Sequence, residues 1–295
     1  MFEHALVALD FSPASQPLQE CLKDLVHLGV SEVTLAYVID MGYPGGSAIA
    51  HQEYYTEKLE QLQAQLTTEG LRVHTKLATG YPPVELLNQA KHAGADMIVV
   101  GSRGHNVAQE LLLGSVASEV LERATIPVLL IRINLAWDMQ AESHYCELAC
   151  TDLRRHLLYV TDFSATAERA FSYLEGLAKR GVEQITLLHV QDKARIERHL
   201  AERLEEFNQI DHERMEVLRQ RLLTQGVKTI NIEILYGSPA DQILDHIDGG
   251  DYSMVVMGSQ GRSLMSRIFL GSVSHRVVRE ATIPVLVIPA LPAEE

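Results

Sequence analysis

Apolar residues fall in short unbroken runs along this chain, and the runs alternate with longer stretches of helical spacing. β-rich apolar runs at about 4–10, 32–39, 71–78, 96–101 and 127–132 predict strands, and stretches near 14–28, 51–69, 82–93 and 115–123 predict helices. The second half repeats the order, with strands expected near 156–161, 183–190, 228–235, 252–258 and 284–289. Ser238-Pro239 reads as a helix start, with a side-chain cap and a proline at the first turn. Such alternation predicts right-handed crossovers and an open parallel sheet with helices on both faces. Ligands of such sheets bind beyond the carboxyl ends of the strands. Asp10, Val38 and Gly101 stand at the ends of the first, second and fourth expected strands, so three separate features converge on one crevice.

The pattern is duplicated. Gly101-Ser-Arg-Gly104 is followed by Gly114-Ser115, and Gly258-Ser-Gln-Gly261 by Gly271-Ser272, with identical internal spacing. Each loop follows an apolar run (Met97–Val100; Met254–Met257), and each half continues into Ala-Thr-Ile-Pro-Val-Leu. Ala8-Leu-Asp10-Phe-Ser12 matches Val160-Thr-Asp162-Phe-Ser164, Tyr37-Val38 matches His189-Val190, and Gly80-Tyr-Pro82 matches Gly237-Ser-Pro239. A repeat this long is two whole domains rather than a solenoid. The expected boundaries are 1–133 and 153–290, with a junction at 134–152 and a tail at 291–295.

A strand running into a paired-glycine loop and then a helix makes a phosphate cradle. Glycine permits close backbone approach, and free N–H groups at the helix start point at an anion. Ser115 or Ser272 could add a hydroxyl, Asp10 or Asp162 could accept from a ribose or an adenine amino group, and Val38 or Val190 could meet a base. The bland alternative is that these glycines only make tight strand-to-helix turns. The loops match neither the Walker A pattern nor the dinucleotide G-x-G-x-x-G.

Charge narrows the partners. The net charge is −14, with 8 basic and 15 acidic residues over 1–133 and four acids with no Lys or Arg in the junction. An acidic surface repels polyphosphate backbones, so nucleic acid is not expected as a partner. No apolar run reaches the roughly 18 residues of a membrane span, and Met-Phe-Glu-His does not open like a signal peptide. Three cysteines, at 21, 146 and 150, fit reduced thiols in a cytoplasm.

In its Asp-Phe-Ser, Gly-x-Pro, G-x2-G-x9-G-S and Thr-Ile-Pro-Val-Leu motifs the chain resembles the universal stress protein family in its tandem form. The resemblance covers both halves except the junction and tail. It implies two α/β domains with open five-stranded parallel sheets ordered 3-2-1-4-5, arranged as a pseudo-dimer because family members often dimerise through the last strand. A further homodimer is implied as well. It also implies ATP or AMP as the ligand, with or without Mg2+, and a regulatory protein partner. Asp10 and Val38 would then face base and ribose in the first half, with Gly101, Gly104, Gly114, Ser115 and Val116 around the phosphates. The matching second-half set is Asp162, Val190, Met257, Gly258, Gly261, Gly271, Ser272 and Val273, with Thr161 beside the base.

The implied function is a nucleotide-binding stress regulator in the cytoplasm, not a dedicated enzyme. The alternatives are an enzyme performing slow ATP hydrolysis or adenylyl transfer, and a structural pseudo-dimer that binds nothing. Adenylyl-transfer signatures such as His-x-Gly-His are not in the sequence. Arg262 and Arg267 in the second loop, against Glu110 at the latter position in the first, favour the second half as the tighter site. His144, Cys146, Cys150 and His156 fit no zinc spacing and read as structural. The dense charges of Arg195–Arg221 read as a solvated helix face, and Tyr54-Tyr55 with Gly42–Gly46 as surface-loop chemistry over the first crevice.

Overall fold

The fold is that of a computed structural model describing residues 1–12, 18–19, 21–40, 52–102, 113–138, 143–148, 152–194, 196, 204–261 and 270–290, with backbone alone at 134–138, 143–148 and 204–205. The chain divides into two compact units, Met1–Thr151 and Asp152–Glu295.

In the first unit the order is β1 (His4–Leu9), a 3-10 turn at Leu22–Asp24 leading into α1 (Leu25–Leu28), β2 (Glu32–Asp40), α2 (Gln52–Thr68), β3 (Arg72–Gly80), α3 (Pro82–Ala93), β4 (Met97–Gly101), α4 (Ser115–Arg123) and β5 (Val128–Ile131). The five strands run parallel in the order β3-β2-β1-β4-β5. Leu6, Val7, Val33, Leu35, Val99 and Leu129 are fully buried. Unbroken apolar runs suit strands covered on both faces. The edge strand β3 instead alternates exposed and covered positions. α3 starts with Pro82 at its first turn and stops at Gly94, whose left-handed φ of 67° lets its N–H reach the carbonyls of Ala90 and Lys91.

The 14–28 helix expected from the sequence is helical where it is described from Leu18 to Leu28, with Leu18, Gln19 and Cys21 α-helical ahead of a tighter turn. The 3-10 turn at Leu22–Asp24 runs straight into α1, which Gly29 closes at φ 103°. The junction carries an antiparallel hairpin, β6 (Ile133–Asp138) with β7 (Ser143–Leu148).

The second unit repeats the plan with β8 (His156–Thr161), α5 (Ala165–Ala178), β9 (Gln184–Asp192), α6 (Leu204–Thr224), β10 (Thr229–Gly237), α7 (Pro239–Gly249), β11 (Met254–Gly258), α8 (Ser272–Glu280) and β12 (Val285–Ile288). Its sheet is again all parallel, ordered β10-β9-β8-β11-β12. α7 begins with Pro239 as expected, but Ser238 makes no side-chain cap. Its hydroxyl instead donates to Asp241, which together with Arg276 holds that carboxyl below its usual range.

Duplication extends to the far ends of the strands. His4 Nε2 lies 2.8 Å from Thr34 Oγ1, and His156 Nε2 lies 2.9 Å from Thr186 Oγ1. His156 is thus a packed residue at the start of β8, against the Tyr252 ring, and burial lowers its pKa. His144 and Cys146 fall on β7, where the side chains lie outside the described residues, as does Cys150.

The core of the second unit centres on Tyr159 and Phe171, both essentially buried, with rings edge to face at 5.3 Å. Tyr159 Oη donates to the Ala167 carbonyl at 2.7 Å, and Arg221 lies 4.4 Å over the Phe171 ring while pairing with Glu175. Phe171→Ala is expected to cost about 3–5 kcal/mol, by lost burial plus the cavity left behind. Urea unfolding of the full chain would read this as an earlier midpoint for the second unit.

Candidate functional site

Each unit ends its first strand in the same strained turn. Asp10 Oδ1 accepts from the Ser12 N–H at 3.0 Å and from the Ser12 hydroxyl at 2.8 Å, while Asp162 Oδ1 accepts from the Ser164 N–H at 3.0 Å. Between them Phe11 and Phe163 take left-handed backbone angles, φ 52° and 58°, and they are the non-glycine residues with positive φ among those described. A bulky residue there is costly, so the surrounding bonds must hold it. Ser164 also caps α5, accepting from the Ala167 N–H at 3.2 Å. The aspartate is thereby fixed at the strand's end.

Parallel register sets its neighbours. Leu9 pairs with Tyr37, so Asp10 stands beside Val38. Thr161 pairs with His189 and Val160 with Met257, so Asp162 stands beside Val190 and Thr161 beside Gly258.

The glycine loops are closed by the same bonds in both units. The Gly114 N–H donates to the Ser102 carbonyl at 3.0 Å, and the Gly271 N–H to the Ser259 carbonyl at 2.8 Å. Gly114 and Gly271 are then the N-caps of α4 and α8, where no side-chain capping bond forms. The first-turn N–H groups that follow, at Ser115-Val116 and Ser272-Val273, have no partner inside their helices. Arg103, Gly104, His105 and Glu110 of the first loop, and Arg262 and Arg267 of the second, lie outside the described residues.

The two loop-opening glycines of the second unit have different reasons. A side chain on Gly258 would meet α5, with Thr166 Cγ2 only 2.9 Å from its Cβ position. One on Gly261 would fall 2.6 Å from Asp162 Oδ2. Gly258 therefore serves helix packing, and Gly261 serves the close approach of loop and aspartate.

A cavity of about 570 Å³ opens at this edge of the second unit. Thr161 and Asp162 line it from β8, Val190 from β9, and Met257, Gly258 and Gly261 from β11 and its loop. Gly271, Ser272 and Val273 line it from the start of α8, so each second-half candidate except Arg262 is brought together there. The volume falls in the range of small-molecule sites, roughly 300–1,000 Å³.

α6 supplies a wall that the sequence reading missed. Phe207, Ile210, Asp211 and Arg214 line the cavity from it. Asp211, read as part of a solvated face, is in fact buried, with Oδ2 2.9 Å from Gln191 Nε2 and 3.4 Å from His189 Nε2. Burial, the largest influence, pushes its pKa up, but the hydrogen bonds from His189 and Gln191 and the nearby charges outweigh it, leaving the carboxyl below its usual range. Met215, Leu218 and Leu222 are the buried stripe of α6. Asp211 falls four residues before Met215 on that stripe, a signal the charge density hid.

In the first unit the corresponding wall is aromatic. Tyr55 of α2 stacks on Tyr37 of β2 at 4.1 Å, and Phe11 lies 5.4 Å from Tyr37. Tyr55 therefore belongs to the packed wall rather than to a surface loop; Tyr54 is exposed, and Gly42–Gly46 lie outside the described residues. Burial first, then the Tyr55 hydroxyl and the Asp10 charge, push the Tyr37 phenol well above its ordinary pKa.

Comparison with known proteins agrees with this arrangement. The model of the universal stress protein family matches residues 1–132 and again 154–289. A universal stress protein of Mycolicibacterium smegmatis is 28% identical over 300 residues, covering 96% of each chain. Universal stress protein MJ0577 of Methanocaldococcus jannaschii is 31% identical over 153 residues, 45% of this chain and 94% of its own. The crystal structure of a universal stress protein from Archaeoglobus fulgidus superposes with a TM-score of 0.75 over 98% of this chain and 99% of its own, and at 24% identity this likeness speaks to the fold. The family pattern, met twice in the sequence and twice in the sheet order, shows that the chain belongs to the universal stress protein family and carries two of its domains in tandem.

Proposed function

We propose that this stress-response protein is a regulator that binds an adenine nucleotide, ATP or AMP, in the crevice of its second unit. The observation carrying this reading is the convergence of Asp162, Val190, the closed glycine loop and the start of α8 on one cavity. The chemistry fits. Backbone N–H groups without a partner at a helix start favour an anion by position and by the helix dipole, worth about 0.3–1 kcal/mol and up to ~2 when partly buried. Asp162, at the end of the neighbouring strand, is an acceptor for ribose or amino donors. Val190 and Met257 add apolar surface.

A Mg2+ ion would be held chiefly by the nucleotide's own phosphates, in the manner of a hard cation keeping several waters. The regulatory role is supported by the groups that line the site, where the glycine loop, the helix start, Asp162 and Val190 are all suited to holding a ligand. No described helix is long and apolar enough to cross a membrane. The acidic composition supports a cytoplasmic setting for the proposed role.

The first unit carries the same Asp10, Val38, Gly101, Gly114, Ser115 and Val116 framework around a different wall. Nucleotide binding there is proposed on the framework alone.

Protein purified without added nucleotide and then denatured should release ATP or AMP, read by mass spectrometry. Gly261→Val should abolish binding at the second site, because its side chain displaces Asp162 and narrows the loop; unchanged affinity by calorimetry on the folded variant would refute the assignment. Asp162→Ala should weaken the same site about ten- to a hundredfold, the equivalent of one charge-assisted hydrogen bond at roughly 1.5–3 kcal/mol. Full affinity in that variant would move the base and ribose contacts elsewhere.

A further inference from the structure

Facing the glycine loop across the second crevice is a histidine whose two ring nitrogens both meet acceptors. His189 is 6% exposed. Its Nδ1 lies 2.7 Å from the Thr161 carbonyl oxygen, which can only accept, so this nitrogen carries a proton. Its Nε2 lies 3.4 Å from Asp211 Oδ2, and an ionised carboxylate also only accepts. The hydrogen bonding is complete only when the ring holds two protons. A ring with one proton would set a nitrogen lone pair against a buried carboxylate.

We propose that His189 and Asp211 form a proton-dependent latch between β9 and α6 that positions one wall of the second crevice, so that the crevice binds its ligand more tightly while His189 is doubly protonated. The latch stands on its own geometry; only the choice of ligand rests on the nucleotide reading.

The neighbours carry the effect to the site. Asp211 also holds Gln191 and lies 3.8 Å from Arg214 Nη1, and Arg214 sits 5.3 Å over the Phe163 ring. Phe163 is the left-handed residue between Asp162 and Ser164, and its ring lies 4.6 Å from His189. Loss of the second proton removes one of the two side-chain contacts that tie Asp211 to β9 and leaves the Gln191 bond, so the cavity-lining turn of α6 is held less firmly. Among the described residues the charged groups on this face are Asp211 and Arg214 from α6, with Asp162 at the end of β8 and Asp192 at the end of β9 lining the same cavity; β10 offers the apolar Ile234 opposite His189.

The first unit is a built-in comparison. The positions of His189 and Asp211 are taken there by Tyr37 and Tyr55, and Leu59, Leu62 and Leu66 occupy the buried positions that Met215, Leu218 and Leu222 fill on α6. There the Tyr37 phenol stays neutral, because burial holds its pKa well above the ordinary value. The same strand–helix contact is therefore pH-silent in one unit and pH-responsive in the other.

The sign follows from linkage. A bound state that holds the second proton more firmly than the free state takes up a proton on binding, so affinity is full at low pH and falls as pH rises and that proton is lost.

Two measurements on the full chain test this. Imidazole 15N shifts without nucleotide should show His189 protonated at both nitrogens at pH 6, and a single neutral tautomer there would overturn the latch. The affinity for ATP with Mg2+ at the second site should fall between pH 6 and pH 8 on the order of tenfold more in the native protein than in His189→Gln or Asp211→Asn. Titration of the ATP phosphates is common to all three proteins and cancels in that comparison. Equal pH slopes would refute the latch. If no ATP binds at either pH, the imidazole spectrum decides alone: two protons would support the latch and sink the nucleotide reading, and one would sink the latch.

Discussion

The parallel ladder of β8 with β9 and β11 is the constraint on which the crevice depends. Its register sets Thr161 against His189 and Val160 against Met257, so that Asp162, Val190 and Gly258 reach the same edge. Because every strand of a parallel sheet points its carboxyl end the same way, each crossover must begin there, and each contributes a turn to one rim. Slipping the register by one residue would exchange His189 for Val190 on the α6 face and dismantle both the latch and the apolar contact. The register in turn is held by strands buried on both sides, which is why the apolar runs are continuous rather than alternating.

What was duplicated is the framework, and what diverged is the lining. The left-handed phenylalanine, the aspartate turn, the backbone bond that closes the glycine loop and the histidine–threonine pair at the far end recur in both units. These are backbone conformations and short local bonds, and few side chains satisfy them. The α2 and α6 walls answer to a weaker requirement, to cover the strand and fill space. Tyr37 with Tyr55 meets it by stacking, and His189 with Asp211 meets it by a buried polar contact. A buried polar contact must be complete to be tolerated, since an unpaired buried charge costs several kcal/mol where a stacked aromatic pair gains about one. The second wall is therefore the one whose stability depends on solution conditions.

The fold was legible because its signals are local and repeated. Alternating apolar runs and helical stretches gave the element order, Pro82 and Pro239 marked two helix starts, and the spacing of Gly258, Gly261 and Gly271 located the loop. The rim residues were legible for the same reason, since each stands within a residue or two of a strand end or helix start. Asp211 and Arg214 were not. They come from a helix far along the chain, and only the packing of Met215, Leu218 and Leu222 against the sheet turns that face inward. Ser238 shows the opposite error: a residue with the right chemistry for a cap accepts no first-turn N–H, and its hydroxyl proton goes to the Asp241 carboxylate.

Sequence reasoning located the difference between the two sites in loop arginines, whereas the described residues locate a second difference in the wall behind the base-side strand. The two act on different parts of a ligand. An arginine in the loop would add attraction to phosphate at any pH, and its influence would fade with salt. The wall acts through position: Asp211 fixes His189, His189 holds the Thr161 carbonyl, and the next residue along is Asp162. Because those contacts are buried, salt screens them little and protons control them. If both units bind the proposed ligand, two copies of one framework report on two variables, ligand concentration where the wall is aromatic and ligand together with acidity where it is ionic. Keeping both on one chain fixes their ratio at one to one, so any change in acidity would shift the balance of the two occupancies rather than their sum alone.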